Sequence, residues 1–290
     1  MNIAGRDIGS GHSPYVVAEM AGEHKWEFSL CCELIAMAKK AGADAVKAQL
    51  YDPVRLAEAR GGRTKVLTDG LWKGRTLGDL YHEAHTPRKW FPDLFAHAKD
   101  IGITLFSSVF DEDGVDFLES LECPAYKIAS FELTDLALIR KAASTGKPVI
   151  ISTGMGSEAE VWEASWAAQE AAKHEGSPAI LHCVSAYPCP VGALNLRSKF
   201  EEFKRHYTVF GLSDHTLGSV APVVATALGA SIIEKHITLD RQNGGPDAPF
   251  SLEPAEFKQM VQDVKDAYAS LGSGDRPASE NIYRDLRRKG

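Results

Sequence analysis

The stretch Thr208-Val209-Phe210-Gly211-Leu212-Ser213-Asp214-His215, followed by Val220-Ala221-Pro222-Val223-Val224-Ala225-Thr226-Ala227-Leu228-Gly229 and Ser231-Ile232-Ile233-Glu234-Lys235-His236, is one complete strand–helix–strand unit. Its two apolar, β-branched runs, Thr208–Leu212 and Ser231–Glu234, are short and apolar enough to be buried on both faces, as parallel strands are. Between them Val220–Leu228 reads as a helix, and Gly229 supplies its C-terminal stop. Each strand runs into polar residues, among them one histidine, His215 after the first and His236 after the second.

The same alternation extends over nearly the whole chain. The other strand-like runs are Tyr15–Ala18, Ala45–Lys47, Thr104–Phe106, Ala125–Ile128, Val149–Ile151 and Ala179–Cys183. The other helical patterns are Ser29–Lys40, Arg88–Asp100, Gly114–Leu121, Leu136–Ser144, Glu158–Lys173, Leu196–Lys204 and Pro254–Tyr268. Gly42, Gly102 and Gly146 follow helices as Gly229 does. About eight strand–helix units predict an α/β protein whose parallel strands close into a (β/α)₈ TIM barrel. The first strand lacks the Gly-rich turn that a dinucleotide-binding sheet needs. The expected organisation is an N-terminal hairpin at 1–14, a barrel at 15–272 and a tail at 273–290. One connection, residues 52–86, is too long for a simple turn and reads as a functional loop or lid.

With 290 residues, 44% hydrophobic and 24% charged, the chain can build a full core. Its net charge of −7 argues against nucleic acid or an anionic membrane as the main partner. No apolar run approaches the roughly 20 residues of a membrane span, and the N-terminus has no signal-like apolar core. Five cysteines with no C-x-x-C spacing predict reduced thiols and a cytoplasmic setting.

In a barrel, side chains at the C-terminal ends of the strands line the active site. Here they are Glu19, Glu23 and His24; Lys47 and Gln49; Ser107 and Ser108; Lys127, Ser130 and Glu132; Ser152 and Thr153; His182, Ser185 and Tyr187; Asp214 and His215; and Glu234, Lys235 and His236. Lysines and hydroxyls on one rim can bind phosphate. Histidines from neighbouring strands can share a transition-metal ion with carboxylate and water. Glu19 and Glu132 can move protons. Singly, each has a plainer role: Lys47 as an outward ion pair, Lys235 as an ion pair beside Glu234, His182 as a hydrogen-bonded core residue, Glu19 as a helix cap.

These motifs also carry a family resemblance. Ala18-Glu19-Met20, Val46-Lys47-Ala48-Gln49, Tyr126-Lys127-Ile128-Ala129-Ser130, Lys147 to Met155, His182 to Pro188, Gly211 to Thr216, Glu234-Lys235-His236 and Gly245-Pro246-Asp247 together resemble the N-acetylneuraminate (sialic acid) synthase family over most of the chain. The resemblance implies a homodimeric, metal-dependent enzyme. It would condense phosphoenolpyruvate with an N-acetylmannosamine-like amino sugar, giving a 2-keto-3-deoxy acid and phosphate. By motif position it implies Lys47, Ser108, Lys127, Ser130, Ser152 and Ser185 as the phosphoenolpyruvate site. It implies His215 and His236 as metal ligands, for Mn²⁺ first, with Mg²⁺, Co²⁺ or Zn²⁺ as alternatives. Glu19 would handle the attacking water, and Gln49, Glu132, Tyr187 and Asp247 would contact the sugar. Ser108 and Ser185 stand where such enzymes often have Thr and Asn. Where the family commonly carries an Asn-His-Asn-Gly-like stretch, this chain has Glu23-His24-Lys25-Trp26. The expected match is to the barrel without the family's antifreeze-like C-terminal domain, with 273–290 as its linker, in a truncated chain or a shorter relative. Other readings are a Schiff-base aldolase using Lys127, a related synthase for a different sugar, and a non-catalytic barrel.

Overall fold

A computed structural model describes residues 1–173 and 177–272; the predicted tail, 273–290, lies outside the described residues. A two-stranded antiparallel hairpin, β1 (Asn2–Ile3) and β2 (Arg6–Asp7), opens the chain. Ile3 and the following Ile8 are buried in the main core. Eight parallel strands then close into a barrel: β3 (Tyr15–Glu19), β4 (Ala45–Leu50), β5 (Thr104–Val109), β6 (Tyr126–Ile128), β7 (Val149–Ser152), β8 (Ala179–Cys183), β9 (Phe210–Asp214) and β10 (Ile232–His236). The ring closes between β10 and β3, where His236 lies opposite Glu19 and Glu234 opposite Val17.

The helices cover the barrel with one apolar stripe each. In α1 (Phe28–Ala41) the buried residues Cys31, Leu34, Ile35 and Ala38 recur at helical spacing, and Gly42 ends the helix in a left-handed conformation at φ 91°. Gly102 does the same for α4 (Phe91–Ile101) at φ 73°. Of the remaining outer helices, α5 (Glu112–Ser120) is capped by Asp111, which accepts from Gly114 N–H at 2.7 Å. A Ser157–Glu160 capping box starts α7 (Glu158–Ala171). Phe257, Met260, Val261 and Val264 bury α10 (Pro254–Leu271) against its neighbours. The other outer helices are α6 (Leu136–Ser144), α8 (Leu196–His206) and α9 (Val220–Ala227).

Two expectations need correction. The connection 52–86 is not a loop throughout, because it holds α2 (Pro53–Ala59) and α3 (Leu77–Ala84). Both carry ordinary start signals. Asp52 accepts from Val54 and Arg55 N–H with Pro53 at the first helical position, and Thr76 accepts from Asp79 N–H. The strands also run further than their apolar runs. Six of them continue past the apolar run, β4 to Leu50 and β5 to Val109 among them, so polar residues expected beyond the strands lie within them. Inward-facing polar groups interrupt the apolar pattern without interrupting the backbone ladder.

Candidate active site

A cavity of about 470 Å³ opens at the C-terminal ends of the strands, roofed by the α2–α3 connection. Strand alternation decides which side chains enter it. On β10, Glu234 and His236 line the cavity, whereas Lys235 points outward and pairs with Asp214 at 2.6 Å, with neither side chain exposed. Lys235 is therefore a structural ion pair as expected, but its partner is Asp214 rather than the adjacent Glu234. On β5, Ser108 faces the cavity while Ser107 turns to the backbone of β4.

The floor is a network of two lysines and two carboxylates. Lys47 donates to Ser108 Oγ at 3.1 Å, pairs with Glu19 and lies 3.7 Å from Glu234. Lys127 donates to Ser152 Oγ at 2.6 Å and to the Ile128 carbonyl at 3.0 Å, with Glu234 4.0 Å away. Burial works against the charge on both lysines. Glu19 and Glu234 outweigh it at Lys47 and raise its pKa, whereas Lys127, with a more distant carboxylate and Lys47 nearby, is held below the usual lysine range. Burial also pushes the Glu19 carboxyl up against the pull of Lys47. Beside the floor, Gly154 N–H donates to Ser130 Oγ at 3.0 Å. A Cβ on Gly154 would lie 2.3 Å from Ser185 Oγ and 2.8 Å from Ser130 Oγ, so only glycine leaves this cradle of hydroxyls open.

Above the floor stand the two histidines. The ring centroids of His215 and His236 are 5.4 Å apart. His236 Nδ1 is buried without a hydrogen-bond partner, 3.7 Å from Asp247 Oδ2. Burial, reinforced by His215 and Lys47, holds the His236 imidazole well below its usual range, which keeps it a neutral donor. Burial with Glu23 and Glu19 nearby raises Asp247 to about 7. Among the described residues no group of three His, Cys, Asp or Glu side chains converges closely enough to cage an ion. What exists is an imidazole pair beside one carboxylate and an orphaned ring nitrogen. That donor set fits a divalent ion with open positions for water and substrate.

The outer lining includes the apolar Leu67, Leu77, Leu80, Phe110 and Phe131. It also includes the polar Gln49, Arg60, Tyr187 and Asp247. Gln49 donates to Glu19 Oε1 at 2.8 Å. Arg60 pairs with Glu132, donates to Tyr81 Oη at 2.9 Å and lies 4.5 Å above the Phe131 ring. Tyr187 packs on His215 at 4.4 Å and on Trp72 at 5.1 Å.

The structure thus gathers Lys47, Ser108, Lys127, Ser130, Ser152, Gln49, Tyr187, Asp247, His215 and His236 around one cavity. Glu19 sits behind Lys47, Glu132 behind Arg60, and Ser185 against Gly154. His182 is the plain core histidine, with Nε2 2.7 Å from the Leu194 carbonyl. Sequence reasoning placed Glu234 at its strand end without a role in the site, and missed Arg60, Trp72 and Cys183. Period-two alternation from His236 would have turned Glu234 inward, and Asp52-Pro53 would have placed Arg60 at a helix end. Nothing local marked Trp72 or Cys183.

A closed parallel barrel with paired lysines and carboxylates, hydroxyls and two histidines under a covered mouth has the architecture of a barrel enzyme. Residues 34–276 match the NeuB family model. The chain is 39% identical over 259 residues to the pseudaminic acid synthase of Helicobacter pylori, covering 89% of this chain and 76% of that protein. It is 33% identical over 278 residues to the N,N'-diacetyllegionaminic acid synthase of Legionella pneumophila, covering 94% and 77%. The crystal structure of the N-acetylneuraminic acid (sialic acid) synthetase from Leptospira borgpetersenii in complex with citrate superposes with a TM-score of 0.86 at 30% identity, covering all of this chain and 98% of that one. The chain belongs to the NeuB family and is an enzyme of that family.

Proposed function

We propose that the enzyme condenses phosphoenolpyruvate with the open-chain aldehyde of an N-acylated amino sugar, giving a 2-keto-3-deoxy sugar acid and phosphate. The observation that carries this reading is the pair of buried lysines, Lys47 and Lys127, with Ser108, Ser130 and Ser152 on the floor of a cavity that also holds His215 and His236. The lysines hold the phosphate and carboxylate, and the hydroxyls supply short neutral donors, a preorganised electrostatic role. The enol carbon forms a bond to the aldehyde carbon above it. Water adds at the phosphate-bearing carbon, and the C–O bond to phosphate breaks. Glu19, raised by burial, is the group to accept one proton from the water; the aldehyde oxygen gains a proton to become the new hydroxyl, and the second water proton leaves with phosphate as the keto group forms. His215 and His236 would hold a divalent ion, Mn²⁺ in the first instance, which would supply Lewis-acid polarisation of the aldehyde oxygen. Gln49, Glu132 through Arg60, Tyr187 and Asp247 face the acceptor. The apolar lining suits acyl groups on it.

The test is phosphate release with phosphoenolpyruvate against a panel of N-acylated aldoses, with and without divalent ions. Chelation abolishes turnover and Mn²⁺ restores it. His215→Ala and His236→Ala each lower activity by about a hundredfold or more without unfolding the barrel. Full activity in metal-free protein would remove this mechanism. The lowered pKa of Lys127 keeps one second reading in view, a Schiff-base aldolase. Borohydride trapping of substrate mass on Lys127 would select it.

A further inference from the structure

The turn after β3 departs from ordinary backbone: Ala21, Lys25 and Trp26 all have positive φ, at 42°, 49° and 63°. This turn buries Glu23, which is 4% exposed and does not line the cavity. Its two carboxylate oxygens each accept one backbone N–H from a segment more than two hundred residues away. Oε2 accepts from Gly245 at 3.0 Å and Oε1 from Asp247 at 3.2 Å. The two backbones touch. A Cβ on Gly245 would lie 2.3 Å from the Gly22 carbonyl oxygen, and one on Gly244 would lie 2.5 Å from Glu23 Oε2. Between the two clipped amides, the Pro246 carbonyl accepts from Trp72 Nε1 at 3.0 Å, and the Trp72 ring rests on Tyr187.

We propose that Glu23 is a positioning residue for the acceptor half of the site. Its carboxylate clips the 244–247 segment so that Asp247 faces His236 and the Pro246 carbonyl docks Trp72 of the α2–α3 connection over the cavity. A carboxylate is the group this clip needs. Two donors require two acceptors, and an amide in its place would turn an N–H₂ toward a backbone N–H. The role assigned to the acceptor half rests on the proposed condensation; the clip itself does not.

The experiment therefore has two arms, both on the full chain. Hydrogen exchange followed by mass spectrometry compares wild type with Glu23→Gln and Glu23→Ala. Kinetics with phosphoenolpyruvate and the best acceptor from the panel compare the same proteins and Trp72→Phe. The expected result is about tenfold faster exchange or more in peptides spanning 244–248 and 66–76, with little change in the barrel strands. The acceptor KM rises about tenfold or more in the Glu23 variants and also in Trp72→Phe, while the phosphoenolpyruvate KM stays within about twofold. Should Glu23→Ala not fold, Glu23→Gln, of equal size, decides. Unchanged exchange at 244–248, or equal rises in both KM values, overturns the proposal. If wild type shows no condensation, the functional reading fails, and the exchange arm still decides whether Glu23 is the clip.

Discussion

Replacing Lys235 by Met would separate structure from chemistry at the histidine pair. Lys235 Nζ lies 2.6 Å from Asp214 Oδ2, both side chains are fully buried, and the ammonium also donates to the Thr216 carbonyl. Thr216 N–H and Oγ–H donate to the Asp214 carboxylate at 2.9 and 3.1 Å. Methionine keeps most of the stem volume and removes the charge. Asp214 would keep its bonds from Thr216 but lose its ion-pair partner, which typically costs about 3–5 kcal/mol for a buried pair. Against a total stability of about 5–15 kcal/mol, that is a large share. At about 2–4 °C per kcal/mol, Tm falls by about 6–20 °C. Asp214→Asn combined with Lys235→Met removes both charges and keeps an acceptor for Thr216, so it is expected to be more stable than Lys235→Met alone. Urea unfolding followed by circular dichroism reads these differences. His215 and His236 directly follow the two members of the pair, so the divalent-ion concentration for half-maximal activity rises in Lys235→Met. Stability within about 0.5 kcal/mol of wild type, or a double variant no better than the single, would refute the argument.

Three shorter predictions follow from the geometry. Gly154→Ala fills the hydroxyl cradle between Ser130 and Ser185, so it weakens phosphoenolpyruvate binding by about tenfold or more with little change in Tm; a fully active variant would rule out that cradle as a substrate site. Lys127→Ala is expected to weaken phosphoenolpyruvate binding about ten- to a hundredfold in a direct titration, and unchanged affinity would remove Lys127 from the floor. Burial, with His85 nearby, lowers His24 from 6.5 to about 4. Its folded value thus lies below its unfolded one, so the stability it contributes is full above pH 6.5 and lost as pH falls toward about 4. A shift of this size is worth about 3 kcal/mol, and His24→Asn should flatten that part of the stability–pH curve. Identical curves for the two proteins would show that His24 does not report the acid loss.

The barrel was legible because each strand is a short apolar run followed by a helical pattern, four of them closed by a glycine, as at Leu228-Gly229. Most of the cavity was legible because strand ends are where polar residues can face inward. The strand ends themselves were misjudged where inward polar groups such as Gln49 and Ser108 broke the apolar run while hydrogen-bonding continued. Lys235 was read with its sequence neighbour because its partner is across the ladder: Asp214 and Lys235 are register partners of β9 and β10. Trp72 was invisible because its role depends on the Pro246 carbonyl, a contact set by the closed fold rather than by any local pattern. Glu23 was visible as a departure from the family motif, but its two backbone partners, more than two hundred residues away, were not.

The alternation along β10 also governs how this gene can change. Glu234 and Lys235 are neighbours of opposite sign on opposite faces of one strand. Deleting a single residue near the start of β10 would exchange the faces of every residue after it. Lys235 would then join Lys47 and Lys127 inside, Glu234 would turn outward opposite Leu212, and His236 would leave the cavity for the place opposite Asp214. A floor that holds two positive and two negative groups would become three and one, and the buried Asp214 would lose the ammonium that neutralises it. Length changes are therefore expected to be purged from β9 and β10. They can accumulate in the stretch between α2 and α3, where an added residue shifts no strand and reverses no charge.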